Sequence, residues 1–131
     1  MNQNKFNALL IEDDYSYQLI FQELIEKDNR LNHVGTVNNS LEAALAIHKM
    51  KPDILILDIE IVGIDGFELL ELFDEIPETI IISSEIKHRQ KAREIGAVGF
   101  LQKPLVQQQQ FYDLIEQSIS NFTSSRMQAA V

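Results

Sequence analysis

Short apolar runs and helical periodicities alternate along this chain. Residues 54–57 are all Ile or Leu, and the run ends in a carboxylate, Asp58, before a glycine-flanked loop. Residues 6–12 and 79–83 have the same character. Apolar runs this short, bounded by turn residues, predict strands covered on both faces, the kind found inside a parallel sheet. The strands expected are 6–12, 53–58 and 79–83. Weaker candidates are 33–37, at a sheet edge, and 98–102, stopped by Lys103-Pro104.

Between the strands the periodicity becomes helical. Leu19, Ile20, Leu24 and Ile25 predict a helix over 15–28, with 29–32 as a turn. Asn39 with Glu42 predicts a capping box, opening a helix that Lys51-Pro52 ends near Met50. Leu69, Leu70, Leu72 and Phe73 predict a helix over 66–74, closed by Pro77. A charged helix is expected over 87–95, before Gly96. The last spans 107–122, with Phe111, Leu114, Ile115, Ile119 and Phe122 on one side. Residues 123–131 are expected to fray. Strand and helix alternate five times, which predicts an α/β fold: a doubly wound parallel sheet with right-handed crossovers and helices on both faces.

The chain has 131 residues, 45% hydrophobic and 24% charged, enough for one domain with a real core. No apolar run approaches bilayer length, and no signal peptide is seen, so a cytoplasmic location and no membrane association are expected. The absence of cysteine excludes a disulfide framework and a Cys-based zinc site. A net charge of −9 disfavours direct nucleic-acid binding and suits a protein that gathers a cation or meets a basic partner.

In a parallel sheet the carboxyl ends of the strands share one edge, where such folds bind ligands. The polar residues expected there are Glu12 and Asp13 after strand one, Asp58 after strand three, Ser83 after strand four and Lys103 after strand five. Taken singly, each has a plain structural explanation. The acidic run 12–14 could be a turn with Asp14 as a helix cap, and Lys103 a surface lysine. Their convergence is the signal. Two carboxylates about 5 Å apart repel by roughly 3 kcal/mol at an effective dielectric near 20, so three together favour a proton or a cation among them. Oxygen ligands with water in the remaining positions suit Mg²⁺ better than zinc. A carboxylate can also be a nucleophile that forms an acyl phosphate, with a hydroxyl and an ammonium to receive the transferred group.

Five motifs in order then carry a family resemblance: Leu-Leu-Ile-Glu12-Asp13-Asp14, Ile-Leu-Ile-Leu-Asp58-Ile, Gly63-Ile-Asp65-Gly66, Ile-Ile-Ser83 and Gly99-Phe100-Leu-Gln-Lys103-Pro104. Over residues 6–122 the chain resembles the receiver domain of two-component response regulators. The resemblance implies a flavodoxin-like, CheY-like sheet of order 2-1-3-4-5. It implies that Asp58 accepts a phosphoryl group from a histidine kinase or histidine phosphotransfer protein. Asp13 would bind Mg²⁺, or Mn²⁺, directly. Glu12 would complete the pocket through a water, and Asp58 and the backbone carbonyl of Glu60 would add metal contacts. Ser83 and Lys103 would draw toward the phosphoryl group, and Phe100 matches the family's aromatic switch residue. Lys103-Pro104 looks like the family's Lys-Pro pair, commonly cis. Such a domain is a signalling switch controlling a partner or output domain. It is no enzyme beyond self-phosphorylation and slow self-dephosphorylation.

Several positions depart from the family pattern. Val62 stands where a proline is usual, so a slightly looser loop is expected. The first acid is Glu12 rather than Asp. Ser84 offers a second hydroxyl beside Ser83, and counting back from Lys103 favours Ser83. The short Ser83–Lys103 interval and the 32–37 stretch resemble receivers joined to LytTR-type DNA-binding domains. Glu60 and Glu85, two residues beyond Asp58 and Ser83, stand where the family tunes dephosphorylation. His33, His48 and His88 read as scattered surface or edge residues, and Asp65-Gly66 as turn chemistry. Two other readings are a phosphate-independent pseudo-receiver and a haloacid-dehalogenase-like phosphatase; the latter expects its nucleophile on the first strand. The receiver domain is expected over 1–123, with a flexible tail over 124–131 and room for dimerisation through the last helix.

Overall fold

The computed structural model describes residues 5–130, with the side chains of 5–126. Five strands form one parallel sheet: β1 (Phe6–Ile11), β2 (Leu31–Val37), β3 (Ile54–Asp58), β4 (Glu78–Ser83) and β5 (Gly99–Gln102). Their order is β2-β1-β3-β4-β5, as expected. The helices are α1 (Tyr15–Glu26), α2 (Ser40–Met50), α3 (Gly66–Leu70), α4 (Arg89–Glu94) and α5 (Gln108–Ala130). A 3₁₀ turn, Ile86–His88, precedes α4.

Alternation along the strands divides the core in two. Ala8, Leu10, Ile54, Ile56, Ile80 and Ile82 face α1 and α5, packing on Phe21, Leu24, Ile25, Phe111 and Ile115. Leu9, Ile11, Leu55, Leu57 and Ile81 face the other way, onto Ala43 and Ile47 of α2, Phe67 and Leu69 of α3 and Ala92 of α4. Every residue of β3 is buried. Each such Ile or Leu contributes about 1.5–3 kcal/mol relative to an exposed side chain, so the central strand is the most firmly held platform available to Asp58 at its end.

Two helix starts are set by the side chains expected. Asp14 caps α1, accepting the Tyr17 amide at 3.1 Å. Asn39 caps α2, accepting the Glu42 amide at 2.9 Å, but only half of the expected box forms: the Glu42 carboxylate takes the Asn39 side-chain amide instead of its backbone. The reciprocal box belongs to Asp65 and Glu68 at α3. Asp65 is thus a helix cap, and Gly66 has no room for a Cβ, which would lie 2.9 Å from Ile59 Cδ1.

Four expectations are corrected. The buried face of α1 is Phe21, Leu24 and Ile25, whereas Leu19 and Ile20 are exposed, because the i, i+3, i+4 stripe is set one residue later. Strand β2 begins at Leu31, inside the expected turn. Helix α3 ends at Leu70 and leaves Leu72 exposed; with no base in its last turn, Glu71, Asp74 and Glu75 oppose its dipole. Helix α5 continues through Ala130 instead of fraying from Thr123, since no Gly or Pro interrupts it and Arg126 lies over the Phe122 ring. The tail expected over 124–131 is therefore helical as far as Ala130; Val131 lies outside the described residues. Among the described residues no helix is long and apolar enough to cross a membrane.

Candidate functional site

Parallel register brings the strand ends together. Ile11 lies beside Leu57, Asp58 beside Ile82, and Ser83 beside Gln102. Glu12, Asp13, Asp58, Ser83 and Lys103 therefore meet at one edge, as the sequence predicts.

Asp58 is 1% exposed. Its Oδ2 accepts from Lys103 Nζ at 2.9 Å, and its Oδ1 from the Glu60 amide at 3.0 Å. Glu12 is fully buried; its Oε2 accepts the Asp14 amide at 3.0 Å. Its Oε1 is 2.7 Å from Lys103 Nζ, an ion contact without a directed hydrogen bond, so this buried oxygen keeps a free lone pair. Asp13 is exposed. Carboxylate oxygens of Glu12, Asp13 and Asp58 lie within 4.8 Å of one another. Such a hard, anionic oxygen set, three carboxylates against one ammonium, fits a small divalent cation.

Burial, and then the Glu12 carboxylate, push the Asp58 carboxyl up to about 7, against the pull of Lys103. Burial and Asp58 likewise raise Asp13. For Lys103, burial works to lower its pKa; Glu12 and Asp58 outweigh it and raise it, so the ammonium stays charged. Its Nζ also stands 4.3 Å above the Tyr17 ring. The Lys103–Pro104 peptide is cis, as the resemblance implies.

Ser83 is fully buried and Ser84 exposed. The Ser83 hydroxyl does not bond Asp58. It donates to Glu60 Oε2 at 2.8 Å and accepts the Glu85 amide at 3.0 Å. Phe100 is half-buried, packed against the α2–α4 core with the Arg89 guanidinium 5.5 Å from its ring. The loop holding Val62 is tied down by Ser40. The Ser40 amide donates to Val62 O at 2.9 Å, and the Ile64 amide to Ser40 Oγ at 3.0 Å.

Sequence reasoning missed two neighbours. Tyr17 is seen only once α1 is placed, although its position three residues after the Asp14 cap was a clue. His88 is no scattered surface residue: it is half-buried, edge-on to Phe67, with Nε2 3.2 Å from Glu85 and 3.9 Å from Glu60. Its i, i+3 spacing from Glu85 was the available signal.

The family model of the response regulator receiver domain matches residues 8–116. An uncharacterized response regulatory protein of Vibrio cholerae is 31% identical over 101 residues, covering 76% of this chain and 43% of that protein. A protein-glutamate methylesterase/protein-glutamine glutaminase of Halalkalibacterium halodurans is 33% identical over 108 residues, 78% of this chain and 31% of its own length. The chain thus spans less than half the length of these curated relatives. Among solved structures, the response regulatory domain of protein mrkE from Klebsiella pneumoniae superposes with a TM-score of 0.81 at 22% identity, covering 90% of this chain and 98% of that one. The response regulator domain of Thermotoga maritima CheB gives 0.77 at 24% identity, with 91% and 97% covered. Strand order, strand-end acids and family match agree: the chain belongs to the response regulator receiver domain family.

Proposed function

We propose that this receiver domain is a phosphorylation-driven switch with Asp58 as its acceptor. The observation that carries the reading is the Asp58 carboxylate itself, buried at the end of the central strand and gripped by Lys103 Nζ at 2.9 Å, with Glu12 and Asp13 alongside. A carboxylate oxygen of Asp58 attacks the phosphorus of a phosphohistidine on a kinase or phosphotransfer protein. The new P–O bond forms as the P–N bond breaks, and the imidazole leaves with the electron pair. Glu12, Asp13, Asp58 and the Glu60 carbonyl are the groups that would hold Mg²⁺ or Mn²⁺. When bound, the ion would neutralise charge on the phosphoryl oxygens. Lys103 stabilises the acyl phosphate as a fixed cation, and the Ser83 hydroxyl, at the end of the strand paired with that of Asp58, would turn toward it. Phe100, partly buried on β5, is the ring whose packing would report the change to a partner or output domain. Such switching takes about 5.5 kcal/mol of differential stabilisation for a full swing from 1:99 to 99:1.

Intact mass after incubation with acetyl phosphate and Mg²⁺ tests the reading. Wild type is expected to gain one phosphoryl group and Asp58→Ala none. No gain in wild type, repeated with a panel of histidine kinases, would leave a phosphate-independent binding module.

A further inference from the structure

As a metal ligand Glu60 would use only its backbone carbonyl. Its side chain is nevertheless fully engaged. Oε2 accepts the Ser83 hydroxyl at 2.8 Å, and Oε1 accepts both the Ser84 amide at 3.1 Å and the Ser84 hydroxyl at 3.0 Å. Three donors from the end of β4 converge on one anion. Asp58 is in register with Ile82, so Ser83, the last residue of the neighbouring strand, and Ser84 just beyond it are the next two residues. The backbone of the same Glu60 is fastened to the acceptor, its amide donating to Asp58 Oδ1 at 3.0 Å. The hydroxyl and amide donors at the end of the strand beside Asp58 are thus committed to a carboxylate two residues away from it.

We propose that the Glu60 carboxylate is an internal stand-in for the phosphoryl group, occupying Ser83 and Ser84 until a phosphoryl oxygen on Asp58 displaces it. The inference rests on Asp58 being the acceptor. A carboxylate and a phosphoryl group both offer anionic oxygens to hydroxyl and amide donors, so they compete for the same hydrogen bonds. Two anions cannot share these donors without repulsion, so displacement is an exchange: the hydroxyl and amide turn to the phosphoryl oxygen, and Glu60 swings out. Its side chain is 37% exposed, so its exit is open. His88 waits beside it with Nε2 3.9 Å from Oε2, between Glu60 and Glu85. While Glu60 stays in place, only a fraction of molecules present free donors, and apparent affinity for a phosphoryl group falls by that fraction. Glu60 is a positioning residue that sets this threshold.

Beryllofluoride with Mg²⁺ is the probe, a tetrahedral phosphoryl mimic that needs no kinase. Its affinity is measured by calorimetry on wild type, Glu60→Gln and Glu60→Ala, at 0.1 and 1 M salt. Glu60→Ala is expected to bind about tenfold tighter, the worth of ~1.4 kcal/mol, and Glu60→Gln to gain less, since its amide oxygen still accepts from Ser84. The gain should survive at 1 M, where the Debye length is about 3 Å. Equal affinity in all three proteins would overturn the gate, as would a gain that vanishes at high salt and so reflects general repulsion. An independent readout is the Ser84 amide resonance in the metal-free protein. It should move in Glu60→Ala, which removes the carboxylate that this amide bonds; an amide unaffected by the substitution would show that the contact does not form and would overturn the gate. No binding by wild type or either variant would instead sink the acceptor reading itself, and the gate with it.

Discussion

Lys103 Nζ stands 2.9 Å from Asp58 Oδ2 and also 2.7 Å from Glu12 Oε1, so one ammonium is shared by two buried carboxylates. The sharing leaves the pocket with excess negative charge. A salt bridge this buried stabilises little relative to an apolar core, yet removing one partner strands the others.

Lys103→Ala should therefore destabilise the metal-free protein at pH 8, by about 2–4 kcal/mol, since Glu12 and Asp58 are left uncompensated. At pH 5 the loss should shrink, because Asp58, with its pKa near 7, is already neutral there. Urea unfolding at the two pH values checks this. A loss independent of pH would place the cause in lost packing of the lysine stem.

Asp58→Asn should have the opposite effect. The carboxyl titrates near 7 in the folded protein against an ordinary 3.8. A pKa raised on folding favours the folded state below the unfolded value and loses that contribution as pH rises through the folded value. Between pH 4 and 8 the metal-free wild type should lose up to about 4 kcal/mol through this group, at 1.36 kcal/mol per unit. Asn cannot ionise, so the variant should be more stable than wild type at pH 8 by roughly 1–3 kcal/mol, less than the full amount because Lys103 loses an anionic partner. A wild-type advantage at pH 8 would contradict the charge balance drawn here.

Cation binding should compete with the same proton. Mg²⁺ affinity is expected to weaken below about pH 7, approaching tenfold per pH unit, with proton release accompanying binding. Calorimetry at pH 6, 7 and 8 in buffers of different ionisation enthalpy measures both quantities. An affinity unchanged across that range would mean that Asp58 is not among the ligands.

Gly63→Ala should be costlier than Gly96→Ala. Both glycines have positive φ, +102° and +83°. A Cβ on Gly96 meets nothing within 4 Å, whereas on Gly63 it would collide with Ser40 Oγ, the hydroxyl that ties down the loop after β3. The expected losses are about 1 kcal/mol at Gly96 and 2 kcal/mol or more at Gly63. Chemical denaturation compares them directly. Equal losses would mean that Ser40 yields without cost.

The apolar runs at 54–57 and 80–82 could only be satisfied by cover on both faces, and that requirement alone determined a parallel sheet with helices on either side. Because parallel strands put their carboxyl ends at one edge, the convergence of Glu12, Asp13, Asp58, Ser83 and Lys103 was legible before any coordinates. So were the caps at Asp14 and Asn39, since a cap is an interaction over three residues. Tertiary structure decided what depends on where a flexible side chain comes to rest. Glu60 could as well have faced solvent; it bonds Ser83 and Ser84 because the register of β3 on β4 brings their donors within its reach. Tyr17 lies under Lys103 because α1 packs on the β1–β3 face through Phe21, Leu24 and Ile25 in that rotation and not the one that Leu19 and Ile20 suggested. Local pattern specifies elements and their ends, whereas contacts between residues 23 or 86 positions apart, as for Glu60 with Ser83 and Tyr17 with Lys103, exist only once the sheet has set the distances.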